Sequence, residues 1–207
     1  MDEREAIQRC QRGEMDGLEP LIERYQARAQ HLAYLLTGDH ALAEDITQDS
    51  FIQAFRRMRQ FDATRPLAPW LWRIVTNTAR ERLRSRRRLR EVSLESALAT
   101  EGPGATIAAP ANLALRLEQA EERRAMLAAL DALTQKQREA VILRYYLDCG
   151  DHEGATIAGC REGAFRVRLH DGLRALKQII REHYPWLLPV GAATDEDAWE
   201  DVRHVAL

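Results

Sequence analysis

The sequence predicts an all-α protein with two small helical domains joined by a flexible linker, the second containing a helix-turn-helix. Three observations predict this architecture. Apolar residues recur every three or four positions over much of the 207 residues, which is the spacing of amphipathic helices. Long alternating runs of β-branched residues, which would indicate strands, are absent from the sequence. The stretch 93–112 combines glycine, proline and alanine without any periodicity, as linkers do.

The chain is predicted to have four parts, one of which is the linker. We predict a helical domain over 1–92, the linker over 93–112, a second helical domain over 113–182, and an acidic C-terminal extension over 183–207.

In the first domain, Gly38 and Asp39 separate the first helices from the next one. Helices are predicted over 3–36, from Asp39 or His40 to about Met58, and from Trp70 to about Glu91. The prolines between Phe61 and Pro69 predict a loop there, with Pro69 in the first turn of the following helix.

In the second domain, Thr134 and Gln137 have the spacing of a capping box, so a helix is expected to begin after Thr134. Further helices are predicted over 113–130, 153–158 and 162–182. A short helix, a tight turn at Gly159 and a longer arginine-bearing helix together form a helix-turn-helix pattern. A generic helical hairpin is the alternative.

Charge is distributed unevenly along the chain, although the net charge is only −2. The segment from Arg80 to Arg90 holds seven arginines and one glutamate, a net charge of +6. The segment from Glu182 to the C-terminus carries −5. Such asymmetry suggests a nucleic-acid contact in the first segment. The acidic end is either a disordered tail or a regulatory segment that folds over a basic DNA-binding face, anchored by Trp186 and Trp199.

One face of the helix after Trp70 is a basic stripe. At 100° per residue the other members lie within about 40° of Arg73, and the stripe extends roughly 20 Å. The stripe consists of Arg73, Asn77, Arg80, Arg84 and Arg87. The planar arginine fork donates hydrogen bonds in pairs and suits phosphate. A solvated charged face is the alternative, but charges of one sign repel each other unless an anion neutralises them.

Trp70 and Trp72 lie two residues apart and therefore point in different directions on a helix. At least one is expected in the core. The other is a candidate for stacking on an unpaired base.

A second group of polar residues, Glu44, Asp45, Gln48 and Asp49, lies on one side of the preceding helix. Acidic residues near a helix N-terminus are stabilised by the helix dipole, which explains them without any partner. The functional alternatives are a docking surface for a basic partner and a metal-dependent nuclease site, which would need inward-facing, clustered carboxylates.

Other site chemistries find little support in the sequence. The three cysteines, Cys10, Cys149 and Cys160, are scattered, and Cys149 and Cys160 with His152 fit no standard zinc spacing. No catalytic dyad, phosphate loop or ligand set predicts an enzyme or a cofactor. Without a signal peptide or a long apolar run, the protein is expected to be cytoplasmic, with no membrane insertion.

Two stretches of the sequence resemble one family. AEDITQDSFIQAFRRMRQFD, followed by PWLWRIVTNTARERLRSRRR, resembles the promoter-melting domain of extracytoplasmic-function (ECF) sigma factors of bacterial RNA polymerase. LTQKQREAVILRYYLDCGDHEGATIAGCREGAFRVRLHDGLRALK resembles their C-terminal helix-turn-helix domain. The resemblance covers roughly residues 5–92 and 113–182. It implies a sigma factor that directs RNA polymerase to specific promoters and is not itself an enzyme.

The resemblance also implies roles for individual residues. Asp45, Gln48 and Asp49 would bind the β′ clamp helices of core polymerase. The loop 61–69 and Asn77 would capture a flipped base of the −10 element, and the other −10 contacts would be Trp70, Arg73, Arg80 and Arg84. The −35 element would be contacted by Arg161, Glu162, Arg166, Arg168 and His170. The implied partners are core RNA polymerase, through its β′ clamp helices and β flap, promoter DNA and an anti-sigma factor.

The helix-turn-helix departs from the family pattern. Gly154 and Ala158 stand where larger aliphatic residues are usual, and Phe165 stands where valine is usual. We predict that Phe165 fills the volume vacated by the other two. Asp171 replaces a common basic residue and Val167 a common small polar one. These departures motivate an alternative, a sigma-like module that sequesters an anti-sigma factor without initiating transcription.

Overall fold

The computed structural model describes residues 2–93 and 113–187, and within these two ranges it contains helices and no strand. The predicted all-α fold is confirmed. The N-terminal half consists of α1 (Glu3–Arg12), α2 (Leu18–Thr37), α3 (His40–Arg57) and α4 (Leu67–Ser93). The C-terminal half consists of α5 (Leu113–Asp131), α6 (Gln135–Tyr145), α7 (Asp151–Ala158) and α8 (Glu162–His183). Most of the predicted linker and of the acidic extension lies outside the described residues.

The boundary between α2 and α3 agrees with the prediction. Gly38 adopts a left-handed conformation with φ of 70° and caps the C-terminus of α2. Asp39 caps the N-terminus of α3, because its side chain accepts a hydrogen bond of 3.0 Å from the Leu42 amide.

The start of α4 was predicted wrongly. The helix begins at Leu67 rather than Trp70, which makes Pro69 its third residue and shortens the preceding loop. The first amides of a helix have no acceptor within it, so a proline costs little at this position. Because Pro66 and Pro69 lie close together, residues 67–69 were predicted to be loop, whereas they form the first turn of α4.

The C-terminal half follows the predicted order of elements. The capping box of Thr134 and Gln137 is present at the start of α6. α7 begins at Asp151, two residues earlier than predicted, and Gly159 ends it with φ of 63°. After α8, a short 3-10 turn over Pro185–Leu187 returns Leu187 to the core.

Three apolar clusters hold these helices together. One lies between α1, α2 and the loop before α4, and a second lies between α5, α6 and α8. The largest joins the two halves, since it contains Leu32, Trp72 and Val75 together with Ile142 and Phe165. The two predicted domains therefore pack on one another across a shared core. Among the helices of residues 2–93 and 113–187, none combines the length and the apolar character that a membrane span requires.

Candidate nucleic-acid interface

The basic stripe of α4 lies on one side of the helix and the core on the other, as its periodicity predicted. Leu71, Ile74 and Val75 are buried, whereas Arg73 and Arg84 are exposed. Within the described residues, neither of these two arginines has an ion-pair partner. Their guanidinium groups are therefore available to an anion from outside the molecule.

Other arginines of α4 have structural partners. Arg82 pairs with Asp49, and Nη1 of Arg86 donates to Oδ2 of Asp39 at 2.7 Å. Both partners lie on α3 or at its N-terminal cap. Some of the arginines between Arg80 and Arg90 therefore hold α4 against α3. The net charge of the segment does not distinguish these arginines from those that are free to bind an anion.

Arg80 is the most enclosed arginine of the stripe. Its side chain is 20% exposed, and its Nη1 donates to Oδ1 of Asn77 at 2.7 Å. Its Nε donates to Oε2 of Glu139 on α6 at 2.8 Å, and its Nη2 donates to the other Glu139 oxygen and to the Ala158 carbonyl of α7, the latter at 2.8 Å. Arg80, a predicted −10 contact, is therefore occupied by the C-terminal half, and it in turn holds Asn77, a second predicted contact on the same helix.

Glu139 is the residue that sequence reasoning missed. Its side chain is 4% exposed. A signal was present, because Glu139 precedes the buried Ile142 and Leu143 by three and four residues and so lies on the apolar side of α6. A buried carboxylate requires a partner, but the sequence does not say which of the many arginines supplies it.

The two neighbouring tryptophans have different environments. Trp72 is buried, and its ring meets Tyr25 edge-on with centroids 5.8 Å apart. This confirms that at least one of the pair belongs to the core. Trp70 is half-buried and packs against Phe61 at 4.9 Å. Its contact with an unpaired base stays a prediction.

The polar face of α3 is accessible. Asp45 and Gln48 are exposed, and Asp49 is half-buried beside Arg82. Next to it, α2 and α3 line an apolar groove of about 360 Å³. The lining residues are Leu18, Ile22, Gln26, Thr47, Gln48, Phe51 and Ile52. Ile52 is 48% exposed, which makes this surface partly apolar as well as acidic.

The helix-turn-helix presents its predicted side chains on α8. Arg161 precedes the helix as its N-cap and is exposed, as is His170, whereas Arg168 is half-buried. Nε of Arg166 lies 2.8 Å from Oδ2 of Asp151, and Arg166 also pairs with Glu162.

Phe165 of α8 packs against α7. Its ring is fully buried, and a β-carbon built on Gly154 would lie 2.4 Å from its Cζ. The predicted packing of Phe165 into the space left by Gly154 is confirmed. Ala158, the other small residue, is buried in the same cluster.

The cysteines contribute to packing. Burial raises the pKa of the Cys149 thiol to about 12, so the thiolate form is strongly disfavoured. Cys160 is half-buried and Cys10 is buried. Among the described residues, no group of three His, Cys, Asp or Glu side chains has an arrangement that suits a metal ion.

Comparison with known proteins identifies related chains. The Sigma-70 region 2 family matches residues 21–89, and Sigma-70 region 4 matches residues 123–176. The RNA polymerase sigma factor CarQ of Myxococcus xanthus is 31% identical, over 85% of this chain and 96% of its own. The ECF sigma factor SigW of Bacillus subtilis is 26% identical, over 85% and 95% of the two chains.

Solved structures show the same fold. The sigma factor RpoE of Bartonella quintana, in complex with the anti-sigma factor NepR, has a TM-score of 0.63 at 22% identity, covering 79% of this chain and 96% of RpoE. CnrH, in complex with the cytosolic domain of CnrY, has a TM-score of 0.62 at 20% identity, covering 88% and 99%. The chain therefore belongs to the ECF-type sigma factors of RNA polymerase.

Proposed function

We propose that this sigma factor reads two promoter elements with two different helices, while a third surface binds core polymerase. The observation that carries the proposal is the basic face of α4, where exposed Arg73 and Arg84 flank Asn77 and Arg80. Arginines on such a face would hold the phosphates of a DNA strand, and the Asn77 amide would read an unpaired base of the −10 element.

A base-reading group beside the arginines has a physical purpose. Arginines alone would bind duplex and single-stranded DNA alike, because both carry phosphates. Unstacking and unpairing a base costs a few kcal/mol. A side chain that captures the extruded base recovers part of that cost only in the melted state. Asn77, with Trp70 nearby at the start of α4, is the candidate for this capture.

The N-terminal part of α8 is proposed to enter the major groove at the −35 element. Arg161, Arg166 and Arg168 supply donors for phosphates or guanine edges, whereas Glu162 supplies an acceptor. His170 lies at the far end of this surface, and its Nδ1 is 3.5 Å from Oδ1 of the adjacent Asp171. Arg166 already pairs with Asp151 and Glu162, so a DNA contact would require exchange of these partners.

Core polymerase is proposed to bind the exposed face of α3. Asp45, Gln48 and Asp49 would contact the β′ clamp helices, and the C-terminal half would contact the β flap. The two solved relatives were each determined with a bound partner, and for RpoE that partner is an anti-sigma factor. We extend an anti-sigma partner to this chain. The proposed location is the cytoplasm, and no enzymatic activity is assigned.

The test is a selection for heparin-resistant open complexes. The chain is combined with core polymerase from its own host and a genomic fragment library, and the retained DNA is sequenced. Retained fragments that share two spaced elements are expected. Binding to core with no retained DNA would favour the sequestering alternative, and no binding to core would contradict the proposal.

A matched pair of variants tests the α4 face on a retained fragment. Arg84→Ala should weaken binding and lower the slope of log affinity against log salt by about one, because one phosphate contact is lost. Arg86→Ala removes the same charge from a position about 160° away from Arg84 on the helix and should leave the slope unchanged. Equal effects of the two substitutions would remove the basis for the proposed face.

A further inference from the structure

The contact between the two halves closes over part of the proposed −10 surface. Nε of Arg138 on α6 donates to the Leu35 carbonyl of α2 at 2.7 Å. The Tyr146 hydroxyl donates to the Arg28 carbonyl at 3.3 Å, and the Tyr146 and His31 rings lie 4.9 Å apart.

The Arg28 side chain makes cation–π contacts within the same contact between the halves. The Arg28 guanidinium lies 5.9 Å from the ring centroids of both Trp72 and Tyr146. It therefore bridges an aromatic ring of each half, an arrangement that is attractive where water is partly excluded.

The ion pair of Arg80 and Glu139 is the charged link across this contact in which both partners are largely enclosed. The two side chains are 20% and 4% exposed. A carboxylate so deeply buried is tolerated only with a partner, and Arg80 meets both of its oxygens. Arg80 also satisfies the Ala158 carbonyl, one of the last carbonyls of α7, which lack partners within their own helix.

These acceptors occupy the donors that DNA would use. A carboxylate and a phosphate present similar pairs of oxygens to the arginine fork, so one guanidinium cannot serve both in the same way at once. Asn77 is held by the same guanidinium through its Oδ1. Meanwhile Asp45 and Gln48 on α3 stay exposed. The closed conformation thus covers the base-reading part of α4 and leaves the proposed polymerase-binding face open.

We propose that Glu139 is an intramolecular competitor of promoter DNA for Arg80, and that the free chain is held closed by this contact. The inference rests on the proposed role of Arg80 in binding the −10 strand. DNA binding then requires the C-terminal half to leave α4. The apparent affinity of the free chain for single-stranded DNA is reduced by the fraction of molecules that are open. Polymerase, by docking on α3 and on the C-terminal half separately, selects the open form.

The closure itself is measured without DNA. Gly38 and Asp131 mark a second point where the halves meet, because a β-carbon on Gly38 would lie 3.1 Å from an Asp131 oxygen. Nitroxide labels on Ala41→Cys and Ala132→Cys, two exposed positions nearby, report the separation by double electron–electron resonance, with half-buried Cys160 replaced by serine. A single short distance between the labels is expected when Glu139 is retained. A longer and broader distribution of distances is expected when Glu139→Gln is added to the labelled chain. An unchanged distribution in Glu139→Gln would overturn the inference and leave the proposed sigma function untouched.

Binding is measured on the same full-length chain by fluorescence anisotropy, with a labelled random-sequence single strand of about 20 nucleotides. Glu139→Gln should bind about tenfold more tightly. Glu121→Gln, at an exposed site of α5, makes the same charge change and should bind as the unsubstituted chain does. If the Glu139→Gln chain opened but gained no affinity for the single strand, the proposed competition between Glu139 and DNA would be overturned. The same result would count against Arg80 as a DNA contact.

A second variant separates closure from charge and covers the case in which Glu139→Gln misfolds. Tyr146→Ala removes the ring that contacts His31 and Arg28 and alters no charged side chain. It should lengthen the label distance and raise the affinity for the single strand, with helical circular dichroism retained. A folded Tyr146→Ala chain that stays closed and gains no affinity would contradict the inference.

Discussion

Phe165 shows how one residue compensates for two others. Its buried ring occupies the space over Gly154, where the β-carbon of any other residue would clash with the ring. This compensation was predictable because Gly154 and Ala158 are smaller than the usual residues, Phe165 is larger, and all three lie close together in the sequence. The Glu139 pairing was not predictable in the same way, because its partner Arg80 is 59 residues distant along the chain.

Replacement of Phe165 tests the packing between α7 and α8. Phe165→Val should lower the free energy of unfolding by more than about 1 kcal/mol, because the ring leaves a cavity beside Gly154. Thermal and urea unfolding measure the change. The double variant Gly154→Leu with Phe165→Val should recover part of the loss by filling that cavity. An unchanged unfolding curve for the single variant would contradict the packing described for this site.

At the scale of the element, α3 and α4 are joined by charge as well as by the core. Asp39 caps α3 and also accepts a hydrogen bond from Arg86, so one carboxylate fixes the start of one helix against the side of another. The sequence predicted that this helix begins at Asp39 or His40, and the structure shows that Asp39 is the cap. The Arg86 contact was not predicted, since the regular spacing of arginines on α4 does not identify which of them meet α3.

The backbone hydrogen bond from Leu42 and the Arg86 guanidinium lower the pKa of Asp39. Its stabilising contribution is therefore fully present above the ordinary carboxyl pKa of about 4 and is lost as the pH falls through the lowered value.

Asp39→Ala should cost about 1 kcal/mol of stability at neutral pH through loss of the cap. Asp39→Asn, which keeps a capping oxygen, should cost less. The difference between the unsubstituted chain and Asp39→Asn should shrink as the pH falls below about 4. Urea titrations at several pH values measure both effects. A pH-independent difference would mean that the charge of Asp39 does not contribute.

At the scale of the whole molecule, the sequence predicted two helical units but not the core that they share. Periodicity identifies the buried side of a helix, but not which helix covers it. Ile142, Leu143 and Phe165 of the C-terminal half are buried. That they share a cluster with Leu32 and Val75 of the other half depends on tertiary packing between residues more than 65 positions apart.

The central claim is that α4 and α8 of one chain read separate promoter elements, and one selection tests it directly. Heparin-resistant complexes with host core polymerase are selected from the same genomic library with the unsubstituted chain, Asn77→Ala and Arg166→Ala. The unsubstituted chain should retain fragments with two conserved elements. Asn77→Ala should lose sequence preference in the melted element alone, and Arg166→Ala in the upstream duplex element alone. If both variants retained the same two elements as the unsubstituted chain, neither helix would read promoter sequence in the manner described.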